Sequence, residues 1–180
     1  MMKTAVILAA GAMLLAVGNG GQVSANGRDF LASFDGGIGV IPVSGGAGPV
    51  NTDGTFPNVK LNVVRGVPPA GPWRIGDLKA DIYTDGRIKL RGRGLLLASG
   101  NSIGSNANQH VFATLICEAA APFVEHSTAL AGVALEPNGD FRIDDALTPT
   151  PGDCASPVLL IRSATSGVWF AAGIPKLGDD

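Results

Sequence analysis

The stretch from Asp77 to Ala98 constrains the fold more than any other part of the chain. Two runs of alternating apolar and charged residues flank Thr84-Asp85-Gly86, and a period of two marks a half-buried strand. Leu78, Ala80 and Ile82 share one face of the first run; Ile88 and Leu90 share one face of the second. A two-residue Asp-Gly loop would set Ile82 against Lys89. A three-residue loop, with Gly86 in the left-handed region, sets Ile82 against Ile88 and Ala80 against Leu90. That register also places Asp81 across from Lys89 and Asp77 across from Arg93, pairs worth about 0.2–1 kcal/mol each. A slip of one residue would turn the apolar set outward, so the three-residue register is expected.

A second stretch repeats the logic. Ala131, Val133 and Leu135 alternate up to Pro137-Asn138-Gly139, and Phe141 and Ile143 alternate away from it. Proline suits the second position of a type I turn and glycine the left-handed position that follows. The predicted hairpin sets Leu135 against Phe141 and Val133 against Ile143. Further strands are expected at Phe30–Ile41, with a bulge at Asp35-Gly36-Gly37, at Val59–Val63, Val111–Cys117, Val158–Ile161 and Val168–Ile174. Pro42–Asn58 and Ser99–Gln109 are polar, glycine-rich and read as loops. Pro122 limits Glu118–Ser127 to a turn. About nine short strands with turns between them predict a single-domain, all-β fold, an antiparallel β-sandwich or flattened barrel.

The chain begins with Met1-Met2-Lys3, a fourteen-residue apolar run from Thr4 to Val17, and the small residues Val23-Ser24-Ala25. This is the layout of a secretory signal peptide over residues 1–25, too short for an ordinary membrane span. Residues 26–180 form the expected mature domain, with no membrane span after cleavage. Losing Lys3 makes it one unit more negative than the −2 of the whole sequence. Slight acidity without a basic cluster argues against nucleic acid as a partner. Cys117 and Cys154 are the only cysteines, and in an exported chain the two are expected to pair.

Gly100-Asn101-Ser102-Ile103-Gly104 matches the G-x-S-x-G elbow of α/β-hydrolases. That elbow needs a helix after the serine, whereas Ser105–Gln109 leads into another strand. The only histidines are His110 and His126. His126 follows Glu125 and suits general-base chemistry, but its spacing from His110 fixes no geometry. Glu118 or Glu125 with a histidine could hold a metal, and Asp35, Asp53, Asp144, Asp145 and Asp153 could hold calcium. No metal-ligand spacing supports either, and no metal or cofactor is expected. The Arg87-Lys89-Arg91-Arg93 stripe is expected to be a solvated, partly paired strand face.

Five blocks are similar to those of small exported bacterial proteins of no assigned activity: Phe34–Val40, Pro72–Ile75, Gly92–Leu97, Gly139–Asp144 and Trp169–Ile174. The resemblance implies export and an all-β domain and carries no catalytic residues. The expected function is therefore a non-enzymatic binding or structural role in the cell envelope or extracellular space, toward an unspecified ligand. The alternative is a small exported serine hydrolase using Ser102 with His110 or His126 and Glu125. A ligand site is expected on the loops Pro42–Asn58 and Ser99–Gln109.

Overall fold

The computed structural model describes residues 29–41, 52 and 62–176. The expected leader, Val59–Leu61, and all of Pro42–Asn58 except Thr52 lie outside them. Along the described chain run β1 (Phe30–Gly39), β2 (Trp73–Arg74), β3 (Asp77–Tyr83), β4 (Arg87–Arg93), β5 (Leu96–Leu97) and β6 (His110–Ile116). Then follow β7 (His126–Ser127), β8 (Val133–Ala134), β9 (Phe141–Ala146), β10 (Val158–Ser163) and β11 (Trp169–Pro175). The fold is all-β, as the alternation predicts. Eight strands form one nearly closed antiparallel sheet in the order β7-β6-β10-β11-β1-β3-β4-β9; β8 pairs with β6, and β2 with β5 makes a small second sheet.

The first hairpin has the predicted register: Ile82 lies opposite Ile88, Ala80 opposite Leu90, Asp81 opposite Lys89 and Asp77 opposite Arg93. Gly86 takes φ +84° and donates its N–H to the Tyr83 carbonyl. Leu78, Ile82 and Ile88 are fully buried, each contributing about 1.5–3 kcal/mol by leaving water. The expected bulge in β1 is present as a register shift between Phe34 and Gly37 where β1 meets β11. Just past that bulge Gly37 lies directly opposite Gly173. A side chain at Gly37 would meet Leu78 Cβ at 2.9 Å, and one at Gly173 would meet the Phe34 ring at 2.9 Å. Phe34 and Leu78 therefore pack onto bare backbone.

The second hairpin is half as predicted. Its turn forms, with Gly139 at φ +81° and Glu136 donating to the Asp140 carbonyl at 2.9 Å. Its arms do not pair with each other. Val133–Ala134 bonds to His110–Val111 of β6, and Phe141–Ala146 bonds to β4. The arms splay because each has a longer-range partner, and the corner between them helps bring the two ends of the sheet together. Ser127 and Thr148 complete that approach by exchanging N–H···O bonds of 3.0 and 2.8 Å. Most of the expected strand Val59–Val63 lies outside the described residues; Val63 itself is irregular, and just beyond it Val64 and Val67 form a tight antiparallel bridge around Arg65 and Gly66, both at positive φ.

Cys117 and Cys154 are bonded, with Cα atoms 4.5 Å apart across a sequence separation of 37. The bond lies just beyond the Ile116–Val158 pair that ends the β6–β10 ladder.

Three outcomes are expected. A side chain at Gly139 would have to share space with the Leu95 backbone at 2.6 Å, whereas one at Gly86 meets the Thr150 methyl at 3.1 Å and the Leu147 carbonyl at an ordinary 3.5 Å. Gly86→Ala should therefore cost about 1 kcal/mol from left-handed strain alone, and Gly139→Ala about 2–4 kcal/mol. Denaturant titration should rank them in that order; equal losses would contradict the packing at the Gly139 corner. Thiol labelling of denatured, unreduced protein should find no free cysteine. Replacing both cysteines should lower stability by about 4 kcal/mol on the chain-entropy estimate.

Candidate functional site

Two regions qualify as sites: the residues with nucleophile or base chemistry, and the charged outer face of the first hairpin.

Ser102 lies in an exposed turn between β5 and β6, followed by further turns and then a strand. Its loop is fastened down. Gly104 donates to the Leu97 carbonyl, and Leu97 donates to that of Ser105. Asn106 Nδ2 donates to the carbonyls of Leu135 and Glu136 at 3.0 Å each. Ala107 and Asn108 both sit at positive φ, and their amides are capped by Ser105 Oγ and Asn106 Oδ1. Among the described residues Ser102 Oγ bonds to neither histidine. The other loop expected to carry a site, Pro42–Asn58, lies outside the described residues except for Thr52.

His126 and Glu125 are adjacent in sequence, but His126 begins β7 and is buried while Glu125, just before the strand, is exposed. His126 lies opposite Leu115 and Ser127 opposite Thr114. The His126 ring is buried, and Nδ1 donates a 2.6 Å hydrogen bond to the Pro149 carbonyl. A carbonyl can only accept, so Nδ1 carries a proton. Glu125 turns to Arg162, with Oε2 2.5 Å from Nη1. Arg162 is held further by Nε to the Gly167 carbonyl at 2.7 Å and Nη1 to Thr114 Oγ1 at 3.3 Å, and it covers the Phe112 ring. Glu118 accepts from the Val124 amide, which, with its own amide, holds its carboxyl below the ordinary value. His110 is exposed at the start of β6. Ser102, His110, His126 and Glu125 are thus not joined by hydrogen bonds.

Among the described residues no three of His, Cys, Asp and Glu cluster closely enough to hold a metal ion. Of the carboxylates considered for calcium, Asp35 pairs with Lys79 at 3.2 Å. Asp145 accepts from the amides of Ala129 and Ala146, and Asp53 lies outside the described residues.

On the outer face of β3, β4 and β9 the cross-strand registers line charges into rows. Lys79 lies opposite Arg91, and Arg91 opposite Arg142; Asp81 lies opposite Lys89, and Lys89 opposite Asp144. Register alone suggested that Asp81–Lys89 and Asp77–Arg93 would pair. Neither comes within ion-pair distance among the described residues. Asp81 instead accepts from Ser33 Oγ at 3.1 Å, and the ion pairs formed are Lys79–Asp35, Arg87–Asp85 and Arg162–Glu125. In the turn, Asp85 accepts from Arg87 Nε and then from the Arg87 amide, which holds its carboxyl below the ordinary value.

Sequence reasoning did not find Arg162. Its signal was a charged residue within the apolar run Val158–Ser163, which demands a partner when buried. Arg162→Ala is expected to cost about 2–4 kcal/mol, because Gly167 and Thr114 lose their donor and Phe112 its cover. Glu125→Ala is expected to cost no more than about 1 kcal/mol, because that carboxylate is half exposed. Thermal or urea unfolding of the two variants distinguishes a buried structural arginine from a surface ion pair.

Protein-family models give no match to this chain, and searches of curated proteins and of solved structures return none either.

Proposed function

We propose that the chain is an exported, non-enzymatic β-domain with a binding or structural role in the envelope or outside the cell. The observation that carries this is the Cys117–Cys154 bond, since disulfides form and persist in oxidising compartments. The amino-terminal layout of Lys3, the apolar run and Val23-Ser24-Ala25 agrees with it, as does the resemblance to small exported bacterial proteins. Against an enzymatic role stand the engagements of the candidate groups: Glu125 is bound to Arg162, and His126 Nδ1 to the Pro149 carbonyl.

The test is expression of the full sequence in a bacterial host, followed by fractionation and mass spectrometry of the amino terminus. Export with a new terminus at Asn26 is expected. Retention in the cytoplasm with the leader intact would overturn the export reading. Activity on an ester panel that disappears in Ser102→Ala, with stability unchanged, would replace the binding role by a hydrolase.

A further inference from the structure

The row Lys79–Arg91–Arg142 contains an arrangement that costs stability as it stands. Arg91 and Arg142 occupy directly opposed positions on β4 and β9, and like charges so placed repel. Lys79 has its own counter-ion in Asp35, but neither arginine makes an ion pair or side-chain hydrogen bond among the described residues. Arg91 Nε is also buried with no hydrogen-bond partner, the one such side-chain atom among the described residues. A buried donor left unmade is costly and rare. The two arginines line a shallow groove of about 330 Å³ with Lys79, Lys89, Asp81 and Asp144.

We propose that this groove binds one oxyanion group, a phosphate, sulfate or carboxylate, clamped between Arg91 and Arg142. A planar guanidinium donates two parallel bonds to such a group through Nε and Nη. An oxyanion there gives Arg91 Nε its acceptor and turns the repulsion between the arginines into shared attraction. The next row decides against an extended polyanion. Asp81 and Asp144 stand on either side of Lys89, about 7 Å along the strands, so a ligand with charges beyond the first meets carboxylates. The ligand is therefore a molecule with one anionic group, and the rest of it is uncharged where it crosses that row.

The inference rests on reading the protein as a binding domain, and its test is independent of export. Inorganic phosphate and sulfate are titrated into the purified protein at constant ionic strength, with sodium chloride as the balance. The midpoint of thermal unfolding is expected to rise with either oxyanion and not with chloride. Arg142→Gln and Arg91→Gln should each weaken this response at least tenfold. In oxyanion-free buffer Arg142→Gln should be at least as stable as the parent, because a repulsion has been removed. Nitrogen-detected NMR of the unmutated protein should show the Arg91 Nε–H moving on titration, which keeps the test open should a variant fail to fold. Three results would overturn the proposal: chloride acting as well as phosphate, variants responding like the parent, or polyphosphate binding through Arg91 far more tightly than phosphate.

Discussion

The fold depends on the pairing of its first and last long strands. With no helix among the described residues to lay over the sheet, the sheet must curl until it covers its own apolar face and leaves little edge exposed. Here β1 and β11 lie side by side, and the curl is tight enough that core side chains press against backbone at their junction. Gly37 and Gly173 stand opposite each other there, with Leu78 and Phe34 packed against them. Larger residues at either position would hold the strands off the core. The bulge beside Gly37 serves the same end, because an extra residue bends and twists the strand that carries it.

What the sequence disclosed follows the distance over which each constraint acts. The Asp77–Arg93 ladder was legible in full because its turn, its apolar alternation and its register lie within one short segment. The corner at Gly139 was legible only as a turn. Alternation says that Val133 and Phe141 face the core, but it does not say which strand each will bond, and β6 and β4 lie far off in sequence. The bridge between Val64 and Val67 was hidden for another reason. Arg65 adopts φ +46° without being glycine, held by Nη1 to the Ser156 carbonyl at 2.7 Å and Nη2 to Ser156 Oγ at 2.6 Å. Those partners lie 91 residues away.

The same division applies to the sites. The stripe of Arg87, Lys89, Arg91 and Arg93 is plain in the sequence, as are the aspartates across the hairpin. Arg142 joins that surface only because β9 pairs with β4, and its opposition to Arg91 is a product of register that no local pattern announces. Conversely, the adjacency of Glu125 and His126 suggested a pair, but each side chain has its own distant partner, Arg162 for Glu125 and the Pro149 carbonyl for His126.

The Cys117–Cys154 bond has a consequence for the order in which the chain assembles. It lies beside the end of the β6–β10 ladder, between strands whose direct meeting requires closing a long loop. Once the bond has formed, the two strands are neighbours through the sulfur bridge and can zip from that end like the arms of a hairpin. A contact of high sequence separation becomes a local one, and topology of that kind governs how fast all-β domains fold. The most buried pair of strands is then an early template, onto which β11, β1 and the first hairpin can add in turn.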